Sequence, residues 1–396
     1  MHILYLHQHF SPPEGNGNNR SLELAEAWIA LGHRVTILCG KGHFAKRPFS
    51  LALFHRLNIN GIEVIRLNVG YSHFFSFHRR VLSFLLFALL TFPFCVKYRK
   101  ADVVYASSTP LTVGLLGLCM KIFFRIKFIF ETVDLWPDVP IEMGILKNKL
   151  LKKSSIWLEK TIYQNCDHIV CLSEGMKYCI DNKGVDPKKI TVAHNGTNCK
   201  QFTPHKQKAS AKIRLGFGET DFVMLYAGTV GQANGLEFWV DVMANMTNEC
   251  IYFVVLGDGK ALKRVENYAK EKNLSRICFH QRVPKNTVHL YFDAADVGVV
   301  SFAPYPILNT NSANKFFDYL ASGLPVLINY EGWQAQYLSE YACGIRCLNA
   351  HDMAEQLERL AKDPYELKKM GENARKLAVE KFDRKNIAQA IARLFV

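Results

Sequence analysis

Asn314, Lys315 and Asp318 stand at spacings that put an amide, a cation and a carboxylate within about one helical turn. The run from Asn314 to Val326 predicts a helix, a glycine cap and a buried strand. Phe316, Phe317, Leu320 and Ala321 recur at helical spacing, Gly323 suits a left-handed cap, and Pro325 blocks continuation. The N-terminus of a helix offers unpaired N–H groups and favours anions. Such a turn could hold a diphosphate through Lys315 and a ribose diol through Asp318. An ordinary amphipathic helix would carry the same spacing.

Other loops carry residues of the same chemical kind. Gly228-Thr229-Val230-Gly231 follows a predicted strand, as does Gly257-Asp258-Gly259 with Lys260 behind it. Near the start, Ser11-Pro12-Pro13-Glu14-Gly15-Asn16-Gly17 leads to Arg20; its glycines would let a ligand approach the backbone, although it is not a GxGxxG fingerprint. Arg20 reads as an exposed residue at a helix start. Asp134, in Glu131-Thr132-Val133-Asp134-Leu135-Trp136-Pro137-Asp138, follows a strand and either faces a ligand or caps a helix. Glu174 and Asn195, at later strand ends, are secondary candidates. No Asp-x-Asp pair, Walker loop or G-x-S-x-G elbow is present, and the 11 cysteines include no CxxC pair. Cys343 and Cys347 alone have a metal-like spacing, and reduced, buried thiols are expected.

These loops need a scaffold. Apolar strands alternate with helices along the chain: His2 to Leu6, Val35 to Cys39, Ile62 to Leu67, Val103 to Ala106, Phe128 to Glu131 and His168 to Leu172. The pattern restarts at Phe222 to Tyr226 and continues to Val326 to Asn329. This predicts an α/β protein of two doubly wound, Rossmann-like parallel sheets, with ligands beyond the carboxyl ends of the strands. The expected domains are 1–203, 204–375 and a returning C-terminal segment 376–396, with 200–212 as linker. Of the net charge of +14, most lies in residues 1–205, with 25 Lys+Arg against 14 Asp+Glu. That half also holds Val81 to Val96, uncharged and apolar, bracketed by Arg79-Arg80 and by Lys97, Arg99 and Lys100. At 1.5 Å per residue the stretch reaches roughly 24 Å, short of a roughly 30 Å hydrocarbon core, and Pro93 interrupts it. Segment 79–100 therefore reads as interfacial or core-packed, and Met1 to Leu6 as a strand rather than a leader.

The motifs together, with Gln8-His9-Phe10-Ser11-Pro12-Pro13-Glu14-Gly15, Gly32-His33-Arg34-Val35, Leu172-Ser173-Glu174-Gly175-Met176, Asn195-Gly196 and Tyr226-Ala227-Gly228-Thr229, resemble family 4 glycosyltransferases. Their order and spacing span nearly the whole chain. The resemblance is to the branch that builds O-antigens, capsules and colanic acid, including L-fucosamine transferases. It implies a GT-B fold, with two domains facing across a cleft, and a retaining transferase. The donor would be a UDP-sugar of hexosamine type, and the acceptor a polyprenyl-diphosphate-linked saccharide at the inner face of the cell membrane.

The resemblance also assigns residues. Lys315 and Asp318 would bind the donor and act in catalysis, with Asp134 orienting the sugar or stabilising positive charge at its anomeric carbon. Gly15, Gly17, Gly228, Thr229, Lys260 and Asn314 would complete the donor site. Many relatives carry an arginine and a lysine where this chain has Thr229 and Asn234, which leaves Lys260 and Lys315 as the replacing cations. The family's first glutamate falls on Thr310, so sugar contacts pass to the loop 310–314. No metal and no cofactor is expected. A UDP-sugar 2-epimerase of the same fold is the alternative; a nucleic-acid binder is disfavoured, since the basic residues form no recognised motif.

Overall fold

The computed structural model describes residues 1–15, 19–44, 52–72, 74–204, 207–283 and 285–396. The chain divides into two compact units, Met1–His194 with Arg384–Val396, and Asn195–Asp383. The division thus falls at His194, ahead of the expected 203. Of the basic stretch 200–212, residues 205 and 206 lie outside the described residues, and its end is a helix rather than a linker. Lys208–Arg214 is a helix of the second unit, and Lys212 is buried there, 2.8 Å from Asp296 and donating to Asp221 O.

The first unit holds an eight-stranded sheet of β1 (His2–Leu6), β2 (Arg34–Cys39), β3 (Phe54–Ile59), β4 (Ile62–Leu67), β5 (Val103–Ser107), β6 (Lys127–Thr132), β7 (His168–Cys171) and β8 (Ile190–Val192). The spatial order is β3-β4-β2-β1-β5-β6-β7-β8, parallel throughout except for the β3–β4 hairpin. Asn60 and Gly61 turn that hairpin, both at positive φ (51° and 84°). Such a turn matches the right-handed twist of its strands.

Side chains alternate across this sheet. Tyr5, Ile37, Tyr105 and Ile129 meet the helix Arg20–Ala30 and the C-terminal residues Ile387, Ile391 and Phe395. Trp28 is stitched to this C-terminal return by its Nε1, which donates to Ala388 O at 3.0 Å. The other face carries Phe128 and Phe130, covered by the helix Thr112–Phe124. Gly117 and Gly114 allow its close approach, because a Cβ at either would collide with those rings. The helix Pro364–Lys381, which takes in the first residues of the expected returning segment 376–396, stays in the second unit, so the return is made by Arg384–Val396.

Phe77–Lys97 is one continuous helix, with Pro93 inside it rather than ending it. By length and composition it could cross a membrane, yet its buried residues Ser83, Phe87, Thr91 and Cys95 form a single stripe, and only 22% of its most apolar window is covered.

The second unit is a six-stranded, all-parallel sheet of β9 (Phe222–Ala227), β10 (Ile251–Leu256), β11 (Ile277–His280), β12 (Val297–Val300), β13 (Val326–Ile328) and β14 (Gly344–Arg346), ordered β11-β10-β9-β12-β13-β14. Its core joins Trp239, Met243, Phe253, Val299 and Leu357. In each sheet the strand order reverses once, between β1 and β5 and between β9 and β12. A crevice outside the strand ends is expected at such a point. The loops of Gly15 and Gly228 leave β1 and β9, while Asp134 follows β6, Lys260 follows β10 and the helix of Lys315 follows β12.

Candidate functional site

In the second unit the structure brings Gly228, Asn314 and Lys315 together. The helix Asn314–Ala321 is held from behind. Tyr319 Oη accepts a 2.7 Å hydrogen bond from Ala227 N at the end of β9, and its ring sits where Gly298 leaves room on β12. Phe316 and Phe317 pack edge to face with each other and with Phe382. Asn195 donates to Ser312 O at 2.6 Å, fixing the loop that enters the helix. The first turn is thereby aimed at the mouth of β9.

Lys315 stretches over the face of buried Tyr226, its Nζ 3.7 Å from the ring centroid. Gly228 faces it at φ 147°, and a Cβ there would lie 2.9 Å from Nζ. Among the described residues no carboxylate or hydrogen-bond acceptor reaches that ammonium. Burial pulls its pKa down from the ordinary lysine range to about 7. Next to it, Asn314 Oδ1 is buried with no hydrogen-bond partner among the described residues. A lysine whose charged form is disfavoured for want of a counter-charge, at a helix start, is a place for an anion.

The neighbouring loops are locked by close backbone approach. Gly228 N donates to Leu256 O, Val230 N to Asp258 O and Ala261 N to Val230 O, all near 3 Å. Gly257 and Gly259 have no room for a Cβ against the carbonyls of Gly228 and Val230. Asn234 caps its own loop by accepting from Gly231 N at 3.0 Å. Thr229 is exposed, with its carbonyl bound by Tyr226 Oη at 2.6 Å, and Lys260 is exposed on the adjoining loop. Gly257→Ala should therefore displace the Gly228 loop. Overpacking of this kind costs typically 1–3 kcal/mol, and a thermal melt with a UDP titration should show a lowered midpoint and weakened nucleotide binding together.

Asp318 lies one turn beyond Lys315, and its Oδ1 accepts from Thr197 Oγ1 at 2.7 Å. Thr197 thus orients the carboxylate. Thr310 ends a 3₁₀ turn, Pro306–Thr310, with its hydroxyl on Ile307 O at 2.7 Å.

The remaining candidates belong to the first unit. Asp134 is not a helix cap; the short helix Asp138–Glu142 is capped by Pro137. No hydrogen bond from the described residues reaches its carboxyl, which burial pushes up from the usual range. Asp138, the first residue of that helix, is tied to Lys183 at 2.5 Å, and Lys183 also holds buried Glu159 at 2.6 Å. Gly15 is buried with a packing reason of its own, since a Cβ would collide with Ser11 Oγ and approach His43 O at 2.6 Å. Gly17 lies outside the described residues. Glu174 pairs with His194 at 3.3 Å.

Arg20 is not exposed. It is 3% accessible and donates through Nε and Nη2 to Glu131 Oε1, at 3.0 and 2.9 Å, through Nη2 to Ala193 O at 3.1 Å and through Nη1 to His194 O at 2.6 Å. Glu131 also accepts from Tyr105 and Ser107. All 11 cysteines are free, and among the described residues no cluster of three His, Cys, Asp or Glu is placed to hold a metal. Sequence reasoning missed Tyr226, Tyr319 and Glu131. Only the strand-end position of Tyr226, before Ala227-Gly228, hinted at a role.

Residues 16–196 match the family described as Glycosyl transferase 4-like domain, and residues 207–377 the family described as Glycosyl transferases group 1. The chain is 23% identical over 234 residues to the probable glycosyltransferase WbjE of Pseudomonas aeruginosa, covering 58% of this chain and 57% of that protein. It is 28% identical over 188 residues to the UDP-Gal:alpha-D-GlcNAc-diphosphoundecaprenol alpha-1,3-galactosyltransferase of Escherichia coli, covering 46% and 47%. The chain thus spans about half the length of these curated relatives. Among solved structures, sucrose-phosphate synthase of Thermosynechococcus elongatus superposes with a TM-score of 0.80 at 18% identity, covering 100% of this chain and 98% of that one. Anabaena HepE in complex with UDP superposes with a TM-score of 0.73 at 16% identity, covering 100% and 99%. At such identities the likeness shows the fold, which is GT-B.

Proposed function

Since the chain belongs to the glycosyltransferases, with 4-like and group 1 domains in its two halves, we propose that it is a retaining hexosyltransferase. It would move a sugar from a UDP-sugar, of hexosamine type, to a polyprenyl-diphosphate-linked saccharide in the assembly of a bacterial surface polysaccharide such as an O-antigen or capsule. The observation that carries this reading is Lys315. It is a half-buried lysine with no counter-charge among the described residues, beside a glycine that leaves space and an asparagine oxygen that lacks a donor there.

A nucleotide diphosphate would supply the missing charge, and Asp318, oriented by Thr197, would accept from the ribose. The galactosyltransferase relative is named for a UDP-sugar donor and a diphosphate-linked lipid acceptor, which supports both substrate classes. In the reaction the bond between the anomeric carbon and the β-phosphate oxygen breaks, and the acceptor oxygen bonds to that carbon on the same face. The acceptor's proton passes to the departing diphosphate, giving UDP and the extended saccharide. Lys315 and the helix N-terminus stabilise the charge that grows on the diphosphate, so no metal is needed for it. Asp134, without a donor of its own, is assigned to the sugar's developing positive charge.

The membrane face belongs to the first unit. The helices Phe77–Lys97, Thr112–Phe124 and Lys149–Asn165 pack side by side. They expose Leu85, Leu89, Phe123, Leu150 and Trp157, with Lys149, Lys152 and Lys153 around the third. Apolar side chains ringed by lysine and arginine match an anionic leaflet. A Leu89→Glu/Trp157→Glu variant should lose at least tenfold in partitioning onto vesicles containing anionic lipid, since burying one such side chain is worth about 1.5–3 kcal/mol. Its UDP binding should be unchanged. Equal sedimentation with vesicles would remove this face from the account.

The function itself is tested by a UDP-sugar panel, with and without polyprenyl-diphosphate-saccharide, reading UDP release and product mass together. Acceptor-dependent release with a gain of one sugar supports the reading. Conversion of the donor to a new UDP-sugar without any acceptor replaces it with epimerisation.

A further inference from the structure

The strand-order reversal of the first unit, between β1 and β5, is bordered by the residues after β1, by Tyr71 after β4, and by the first turns of the helix Phe77–Lys97. His9 lies against Tyr71, with ring centroids 4.3 Å apart, and Tyr71 stacks on Phe84 at 5.8 Å. Arg80 stands one turn before Phe84 on the same helix face. Its guanidinium hydrogen-bonds the Tyr71 hydroxyl, whose pKa burial raises above the ordinary phenol value against the pull of this cation, and the Asp134 charge adds to the rise.

Arg80 Nε is buried with no hydrogen-bond partner, and no carboxylate pairs with this side chain among the described residues. Its position is fixed from the next turn. Ser83 Oγ accepts from Gln8 Nε2 at 3.0 Å and donates to Gly70 O at 2.8 Å, clamping the helix onto two strand-end loops. Beyond Arg80 the same helix turns outward with Leu82, 64% exposed, and Leu89, 70% exposed.

A permanently charged fork with an unused Nε donor therefore sits beside Tyr71, which contacts His9 and feels the Asp134 charge, at the foot of an exposed apolar ridge. A buried donor without a partner in the free protein calls for one, and the guanidinium fork matches phosphate oxygens. We propose that Arg80 is the acceptor-diphosphate subsite: it grips the diphosphate of a prenyl-diphosphate-linked sugar, the prenyl chain running along Leu82, Leu85 and Leu89 and the sugar lying towards His9, Tyr71 and Asp134. The proposal rests on the acceptor class given under Proposed function and adds where that acceptor is held.

The test is calorimetric titration of a short-chain prenyl diphosphate into protein saturated with UDP, which keeps the diphosphate out of the nucleotide site. Arg80→Ala should bind it at least tenfold more weakly than wild type, and Arg80→Lys should recover part of the loss. Inorganic diphosphate should bind wild type at least tenfold more weakly than the prenyl compound. UDP binding by Arg80→Ala, on the other unit, should be unchanged and shows that the variant is folded. Equal binding of the prenyl diphosphate by wild type and Arg80→Ala overturns the subsite, and so does inorganic diphosphate binding as tightly as the prenyl compound. The two readings fail separately. Arg80-dependent binding without any product under the UDP-sugar panel keeps the subsite and sinks the transfer, whereas transfer unimpaired in Arg80→Ala sinks only the subsite.

Discussion

Lys315→Ala should lower kcat/KM for the UDP-sugar by about 10²–10³, the range found when one preorganised donor to a developing oxyanion is removed. The fold should survive, because Nζ makes no hydrogen bond or ion pair with the described residues and rests only against the face of the Tyr226 ring. Removing a half-buried amine whose charged form is uncompensated should raise the melting temperature in the absence of nucleotide. Loss of activity with gain of stability is the pattern of a residue kept for its ligand. A structural lysine would lose both.

The same residue sets a pH dependence. Burial holds Lys315 near 7 in the free protein, and a bound diphosphate restores the charged form. Below that pH the ammonium is already present; above it, binding must take up a proton. UDP affinity should therefore fall about tenfold per pH unit above 7, until the pKa of the bound state is passed. The nucleotide's terminal phosphate loses its last proton near pH 6, so between pH 7.5 and 9 the trend belongs to the protein. Lys315→Ala should flatten it.

Glu131→Gln should destabilise the protein by about 3–5 kcal/mol, the cost of leaving one member of a buried ion pair uncompensated. For a unit of this size that is roughly 10 °C in the melting midpoint. Burial alone would raise the Glu131 carboxyl, but Arg20 and the hydroxyls of Ser107 and Tyr105 outweigh it and hold it below the usual range. A carboxylate whose pKa is depressed on folding contributes stability above its unfolded value, near 4.3, and loses it as the pH falls through the folded value. The wild type should therefore lose stability on the acid side of pH 4, and Glu131→Gln should lose less there. A paired Arg20→Met/Glu131→Leu variant, which removes both charges, should recover most of the midpoint. A melt showing Glu131→Gln equal to wild type would mean that the network carries no net stability.

These two sites differ in how far the sequence reveals them. Lys315 and Asn314 could be read from local spacing, since a helix start and the run of Phe316, Phe317 and Leu320 are matters of neighbouring residues. The Tyr226 ring beneath Lys315 is a contact across 89 positions, and nothing in either segment names the other. Arg20 read as a surface residue because helix starts are commonly exposed. Its burial depends on Glu131 and on the carbonyls of Ala193 and His194, brought together only by sheet order.

Most strands were legible as apolar runs. β3 was not, because its residues alternate between exposed and half-buried, although Asn60-Gly61 is a strong hairpin signal that could have located it. β8 and β14 have three residues each, too few to show a period. Pro93 was read as an interruption, yet the helix Phe77–Lys97 continues through it. A proline removes one backbone hydrogen bond, and the long apolar run before Pro93 carries the helix one further turn, to Lys97, past that loss.

The central claim, a nucleotide diphosphate held by Lys315 in the second unit, is tested most directly by titrating UDP into wild-type protein at pH 8 in two buffers of different ionisation enthalpy. Saturable binding with proton uptake approaching one per UDP, both greatly weakened in Lys315→Ala, is the predicted result. Absence of binding, or binding without proton uptake that survives the substitution, would contradict it.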